Sequence, residues 1–292
     1  MKKIISLFLI ITLLSLPSCT KTNDGDNADK INVTESELLD SKGEFSVKKA
    51  DDVFWDEFDD IQGEYYEFTD DEVQMYRELT DTAIILKYEN SVMSGEYYHN
   101  VYSDSEKKQY YYTEYDDLFR YSNLDGVNKL ADKIALSDPE KILTQEESLA
   151  VVDDFVVDIL KVSLEGYEIE SVNRTESGAC EFVYKKRGGK DNFITVGTFT
   201  ASVNALGEIV DCGFSNPAML KGFDDSAIAD ISRADIENAV ADELKKTVDK
   251  LVEYKVESTS VIKYKNEYMI MVLSSVMSQN GKTMHRMMVE LD

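Results

Sequence analysis

Residues 144–171, TQEESLAVVDDFVVDILKVSLEGYEIES, decide the predicted fold because their pattern returns later in the chain. Residues 232–258, SRADIENAVADELKKTVDKLVEYKVES, repeat it. The distance from the first residue to the tyrosine of a Tyr-x-x-Glu-Ser pattern is 23 residues in the first stretch and 22 in the second. A pattern that recurs with the same internal spacing indicates repeated supersecondary units. The sequence therefore predicts two related folding units.

Both stretches open with the signature of a helix N-terminus. Thr144 and Glu147 form a capping-box pattern, and Ser232 with Asp235 repeats it. Apolar residues then recur at intervals of three and four, which is typical of an amphipathic helix. Each stretch is expected to contain one such helix, and the first helix is expected to end near Gly166.

Alternation of apolar and polar residues predicts an antiparallel meander after each helix. The second copy has one strand fewer than the first. Its outer edge is therefore expected to pair with the N-terminal part of the chain or with a partner peptide. The strands are expected near 167–171, 179–186, 193–203 and 208–214 in the first copy, and near 254–264, 268–277 and 283–291 in the second.

Residues 45–136 form an aromatic and acidic region in which tyrosines flank a polar break at 104–108. Tyrosine favours strands, where a cross-strand aromatic pair contributes about 0.2 to 1 kcal/mol. One interpretation is a β-hairpin subdomain, and the alternative is an exposed aromatic platform for a glycan or a peptide. The candidate ligand-binding residues of this platform are Tyr97, Tyr98, Tyr110, Tyr111 and Tyr112.

The N-terminus has the layout of an exported lipoprotein. Two lysines precede an apolar run from Ile4 to Leu16, which at 13 residues is a signal-peptide core rather than a membrane span. The sequence Leu16-Pro17-Ser18-Cys19 that ends this region resembles the bacterial lipobox. The resemblance implies cleavage after Ser18 and attachment of a diacylglycerol, with further acyl chains such as palmitate, to Cys19. The mature protein is then expected to be anchored by lipid to a membrane, outside the cytoplasm.

The charge balance limits the possible partners. The chain has 57 acidic and 31 basic side chains, a net charge of −26. Nucleic acid requires clustered lysine and arginine to replace its counterions, so it is excluded as a partner. An anionic membrane surface would likewise repel the protein beyond its anchor.

Two cysteines remain after Cys19, and both are expected to be free thiols. Cys180 and Cys212 lie in predicted strands on either side of the same middle strand. Neighbouring strands lie about 4.8 Å apart, which separates the two cysteines by about 10 Å. This distance exceeds the disulfide limit of about 7 Å between Cα atoms, so we expect two free and mostly buried thiols.

No motif in the chain indicates catalysis, a metal or a cofactor. The two histidines, His99 and His285, lie in separate predicted strands, and neither is accompanied by a nucleophile or a metal-ligand spacing. The sequence lacks the nucleophile elbow, the zinc helix motif, the phosphate-binding loop and the dinucleotide fingerprint. No catalytic residue is therefore expected. A hydrolase that uses two distant carboxylates remains an alternative, because such a pair has no local motif.

The end of the first meander carries a family resemblance. Residues 202–210, SVNALGEIV, supply its closing turn. A helix followed by such a meander resembles the PepSY family and related repeats of bacterial cell-envelope lipoproteins, over residues 144–217 and again over 232–292. The resemblance implies a binding or regulatory module, of a kind associated with inhibition of neighbouring proteases.

The expected protein is thus an α+β lipoprotein that binds rather than catalyses, with tandem units of one amphipathic helix packed on an antiparallel meander. Its expected partners are the membrane, through Cys19, and an envelope protein, a peptide or a glycan. The expected segments are a signal peptide (1–18), a flexible tether (19–44), a tyrosine-rich β subdomain (45–136), a first repeat (137–217), a linker (218–231) and a shortened second repeat (232–292).

Overall fold

Strands dominate the part of the chain that the computed structural model describes, namely residues 31–32, 47–49, 65–66, 74–79, 81–94, 97–123, 138–215, 221–264 and 267–291. The expected signal peptide and Cys19 lie outside these residues, as does most of the expected tether. The fold is mixed α+β, and a large, mostly antiparallel sheet forms most of it. The α+β class expected from the sequence is confirmed.

Fifteen strands of the described part join in one sheet. They are β1 (Ile31–Asn32), β2 (Val47–Lys49), β3 (Tyr65–Tyr66), β4 (Tyr76–Glu78), β5 (Ile85–Ser94), β6 (Tyr97–Ser103), β7 (Gln109–Thr113), β8 (Leu118–Ser122), β9 (Tyr167–Arg174), β10 (Cys180–Gly188), β11 (Ile194–Val203), β12 (Ile209–Phe214), β13 (Leu251–Tyr264), β14 (Glu267–Ser278) and β15 (Gly281–Glu290). The hydrogen-bonded order is β2-β15-β14-β13-β11-β12-β8-β7-β6-β5-β3. β10 pairs with β11 and carries β9 on its other side, while β4 pairs with β5 and β1 with β13.

Two α-helices lie in the described part, and both begin where the capping boxes predict. Helix α1 (Gln145–Phe155) follows Thr144, and helix α2 (Arg233–Thr247) follows Ser232, each with both capping hydrogen bonds present. Helix α1 continues as a π-helix over Val156–Leu160. The helix therefore ends at Leu160, before the expected end near Gly166, because the next residue takes the left-handed conformation.

Two hydrophobic cores meet on β11. Its C-terminal half places Phe199, which is fully buried, in the first core. Helix α1 and strands β5 to β8, β10 and β12 contribute other side chains of this core. Its N-terminal half places Ile194, also fully buried, in the second core, between α2 and strands β13 to β15. One strand thus supplies side chains to both cores.

The predicted arrangement as separate tandem helix-on-meander units is wrong. The strands fall close to the predicted positions, but both meanders belong to one sheet, since β11 pairs with β13 through Thr195 and Ser260. The reason is that the two halves of β11 contribute buried side chains to different cores. Two independent units would need a separate strand for each core.

The N-terminal part of the chain pairs with the second meander, as predicted for its outer edge. β2 lies antiparallel to β15, with Val47 opposite Val289. β1, which lies in the segment expected to be a tether, pairs Ile31 with Tyr254 of β13.

The long open edge of the described sheet is β9. The sequence predicts a half-buried strand here, but Ile169 is 44% exposed. A β-bulge interrupts the pairing of β9 with β10. Ser171 pairs with Val183 and Ile169 pairs with Tyr184, so Glu170 is the extra residue. Bulges and charged side chains protect open edges from unwanted pairing, and β9 has both.

The prediction for the cysteines is confirmed. Cys180 lies opposite Val203, and Cys212 lies opposite Ala201, so the two cysteines flank β11 on its two sides. Both thiols are free and buried.

We predict that Phe199→Ala lowers the free energy of unfolding by about 3 to 5 kcal/mol, because it leaves a cavity in the first core. Thr200→Ala, one residue further along β11 and half-buried, should change it by less than about 1 kcal/mol. Urea unfolding followed by circular dichroism checks both. Equal losses in the two variants would contradict the assignment of Phe199 to the core.

Candidate functional site

The tyrosines of β6, β7 and β8 alternate between the two faces of the sheet. Tyr102 and Tyr112 point into the first core with ring centroids 5.4 Å apart, and Tyr110 and Tyr121 do so at 5.3 Å, both pairs edge to face. The guanidinium of Arg77 lies 4.0 Å from the Tyr112 centroid. Edge-to-face rings and a cation over a ring are each favourable, so these tyrosines stabilise the fold.

The predicted tyrosine platform is wrong as a single exposed face. Tyr110 and Tyr112 are 3% and 7% exposed. Tyr111 points to the opposite face, where its hydroxyl donates to Gln109 at 3.0 Å, and Tyr98 is half-buried. The side chain of Tyr97, the fifth candidate, lies outside the described part. A strand turns successive side chains to opposite faces, so adjacent tyrosines cannot share one surface. The predicted hairpin, by contrast, is present as β6 and β7.

A partly buried polar cluster lies on the other face of these strands. The ring of His99 packs 4.6 Å from that of Phe119, and the neighbouring Arg120 pairs with Asp211, with 3.0 Å between Nε and Oδ1. Burial, and then the charge of Arg120, lowers the pKa of His99 to about 4. The thiol of Cys212 belongs instead to the first core, and burial raises its pKa above the usual range. Both groups are therefore neutral near neutral pH, and neither is a thiolate or a base poised for catalysis.

Neither a cluster of metal ligands nor a helix able to span a membrane occurs among the described residues. No group of three or more histidine, cysteine or acidic side chains there is placed to hold a metal ion. No helix within the described ranges combines the length and the apolar composition that crossing a membrane requires.

A mainly apolar surface depression of about 330 Å³ lies beside the turn between β7 and β8, and we call it the Tyr115 cleft. Tyr115 lies in the turn between β7 and β8 and is 44% exposed. Tyr167, at the start of β9, and Phe214, at the end of β12, also line the cleft. Their ring centroids lie 5.6 Å from each other. The cleft is lined by Thr113, Tyr115, Asp117, Leu118, Phe119, Val162, Tyr167, Gly197, Phe214, Ser215 and Lys221.

Local geometry fixes the walls of the Tyr115 cleft. The Oγ1 atom of Thr113 accepts hydrogen bonds from the amides of Tyr115 and Asp117, each at 3.2 Å, and so shapes the turn that presents the ring. On the opposite wall a Cβ atom on Gly197 would lie 2.3 Å from the hydroxyl of Tyr167. A glycine at this position of β11 lets the tyrosine lie against the strand.

A lysine closes the mouth of the Tyr115 cleft. Nζ of Lys221 lies 3.0 Å from Oδ2 of Asp117 and 4.2 Å from the centroid of the Tyr115 ring. The hydroxyl of Tyr268 donates to the carbonyl of Lys221 at 2.7 Å, which holds the segment in place. Aromatic walls with a few polar groups at the rim are typical of ligand-binding clefts.

Sequence reasoning did not find this cleft. Its walls come from five separate stretches, and Lys221 and Asp117 lie 104 residues apart in the chain. The local signal is Tyr115 itself, an aromatic residue between the acidic residues Glu114 and Asp116.

The comparisons with known proteins give little. No protein-family model matches the chain. No curated protein matches it either. Among solved structures, the Bacillus megaterium YpeB C-terminal domain is similar with a TM-score of 0.32 and 11% sequence identity, over 89% of this chain and 94% of that chain.

We predict that the neutral state of His99 makes the protein less stable in mild acid. The folded pKa of about 4 lies below the ordinary 6.5, so the unfolded chain binds more protons in this window and stability falls as the pH drops. Between about pH 7 and about pH 5 the loss from this group is about 2 kcal/mol.

Substitution of the imidazole tests this prediction. His99→Phe should lose that part of the acid sensitivity, whereas Tyr111→Phe, a neighbouring change that keeps the imidazole, should retain it. Urea unfolding at several pH values measures the difference. Parallel pH profiles for His99→Phe and the wild type would rule out a role for His99.

Proposed function

We propose that the protein is an exported, lipid-anchored binding module that takes up a peptide segment of another envelope protein in the Tyr115 cleft and modulates that protein, for example a protease. The anchor in this proposal is the lipobox-like sequence ending at Cys19. Support for a binding role comes from the sequence resemblance of residues 144–217 and 232–292 to the PepSY family, which implies a binding or regulatory module.

The observation that carries the proposal is the apolar cleft on an otherwise highly charged chain. Charged residues make up 30% of the sequence, yet Tyr115, Tyr167 and Phe214 together line one depression. A volume of about 330 Å³ is at the small end for ligand pockets and suits one or two apolar side chains. Burial of an aromatic or large aliphatic anchor in such a cleft is the usual source of affinity in peptide recognition.

The rim fits a peptide better than a fully apolar ligand. Ser215 is exposed at the edge, and the ion pair of Lys221 with Asp117 offers a donor and an acceptor beside the apolar walls. Backbone amide and carbonyl groups next to an anchored side chain can use both. A peptide with a large apolar residue therefore matches the walls and the rim together.

Filling the Tyr115 cleft tests the proposal. An array of immobilised pentadecapeptides should show binding of the wild-type protein to peptides that contain a large apolar residue. Ser215→Trp places an indole at the edge of the cleft and should weaken binding to those peptides by about tenfold or more. Fluorescence polarisation with the best peptides measures the change.

The matched control is Ala234→Trp, which adds the same side chain to an exposed position on α2. It should bind peptides like the wild type, and thermal unfolding should confirm that both variants fold. Unchanged binding by Ser215→Trp would move the peptide site away from the cleft.

The anchor has a separate test. Full-length protein expressed in a bacterial host should fractionate with the membrane and carry an acylated N-terminal cysteine by mass spectrometry, since each buried methylene contributes about 0.8 kcal/mol. Cys19→Ser should release it to the soluble fraction. A wild-type protein that is soluble and unacylated would exclude the anchor without affecting the test of the cleft.

A further inference from the structure

A second depression, of about 500 Å³, lies at the other end of the tyrosine strands. We call it the Asp104 pocket. It is bounded by the start of β5, the turn between β6 and β7, and the end of α1 with its π-helix. Its principal lining residues are Ile85, Asp104, Tyr110, Tyr121, Phe155 and Ile159.

The back of the Asp104 pocket is aromatic. The ring of Tyr121 lies 5.3 Å from that of Tyr110 at an interplanar angle of 69°, and 4.8 Å from that of Phe155 at 54°. The three rings therefore form a corner rather than a flat stack, in which Tyr110 and Tyr121 are only 3% and 4% exposed and the half-buried Phe155 presents the most accessible ring. Ile159, half-buried, and Ile85, which is 57% exposed, extend this surface with aliphatic groups.

A carboxylate is held rigidly at the rim. Oδ1 of Asp104 accepts hydrogen bonds from the amides of Glu106 at 2.8 Å and Lys108 at 3.0 Å, which fixes the side chain in the turn. The hydroxyl of Tyr110 approaches Oδ2 at 3.4 Å, a long contact. Oδ2 consequently keeps capacity to accept a stronger hydrogen bond from a ligand.

The charged side chains that line the pocket, Asp104, Glu106 and Lys108, have a net negative charge, and Lys107 of the same turn lies outside the lining. Lys108, the basic residue of the rim, lies 2.6 Å from a carboxylate oxygen of Glu106, and the two charges cancel locally. The charge of Asp104 remains. Burial is the main cause that raises the pKa of Tyr110 and Tyr121 above the usual range, and the charge of Asp104 is the second cause. The negative potential of Asp104 therefore reaches the aromatic corner, and both phenols stay neutral.

Aromatic faces with a nearby carboxylate favour an organic cation. The aliphatic part of the lining favours methylene groups, and a lysine side chain combines a methylene stem with a charged end. A small metal ion does not suit this site, because such ions need several ligands and no group of three or more histidine, cysteine or acidic side chains among the described residues is placed to hold one. The strongly acidic chain, with a net charge of −26, also attracts basic partners.

We propose that the Asp104 pocket binds the alkylammonium group of a lysine-like ligand, with the ammonium at Asp104 and the methylene stem against Tyr121, Phe155 and Ile159. The site is separate from the Tyr115 cleft, and the inference does not depend on peptide binding there. The alkylammonium can come from a lysine residue of a partner protein or from a free amine.

Three probes distinguish these sources. Nα-acetyl-lysine methylamide, pentylamine and the uncharged Nα-acetyl-norleucine methylamide are titrated into the full chain, with tyrosine fluorescence and calorimetry as readouts. We expect the lysine probe to bind at least about tenfold more tightly than the norleucine probe, and added salt to weaken it. Tighter binding of the lysine probe than of pentylamine indicates a lysine residue as the source, and equal binding indicates a free amine.

Two variants locate the site. Asp104→Asn keeps an oxygen for the two turn amides but removes the charge, and it should weaken the lysine probe by about tenfold. Phe155→Leu removes one ring and should weaken it by a few-fold. Asp230→Asn, at an exposed position in the turn before α2, should have no effect.

Three results would overturn the proposal. These are equal binding of the norleucine and lysine probes, no binding of either cation, and unchanged cation binding in both Asp104→Asn and Phe155→Leu. Circular dichroism of each variant separates loss of the site from loss of the fold.

Discussion

The burial of β11 on both of its halves is the constraint on which the rest of the structure depends. Phe199 and Ile194 are only five positions apart, and both are fully buried in different cores. Burial of either side chain stabilises the fold by about 1.5 to 3 kcal/mol. Because both belong to one strand, moving β11 out of one core would also remove it from the other. The two meanders therefore share one sheet. The Tyr115 cleft lies beside Gly197, between the part of β11 that pairs with β13 and the part that pairs with β12.

Features that depend on neighbours in sequence could be predicted, and features that depend on assembly could not. The capping boxes at Thr144 and Ser232 are contained within four residues, so the helix starts are readable. The placement of Cys180 and Cys212 on either side of one strand follows from consecutive antiparallel strands. By contrast, the parallel contact between β11 and β13 joins residues 65 positions apart, and no local pattern encodes it.

The tyrosine strands show how an enriched residue type can mislead. Five tyrosines close in sequence suggest a ligand-binding surface, but strand alternation places Tyr110 and Tyr112 in the core and Tyr111 on the opposite face. Tyr110 reaches the Asp104 pocket, whereas Tyr112 is occupied by the guanidinium of Arg77. The two depressions thus lie at the ends of the strands, beside the turns that contain Asp104 and Tyr115.

The π-helix after α1 explains why the Asp104 pocket has an aromatic wall. Val152, Val156 and Leu160 are all buried at intervals of four residues. An α-helix has 3.6 residues per turn, so a stripe with this interval drifts around its axis. The wider π-turn, which often occurs at functional sites, compensates for the drift and keeps the stripe on the core. Phe155 and Ile159, each one position before a buried residue, then lie along the flank of that stripe and face the pocket.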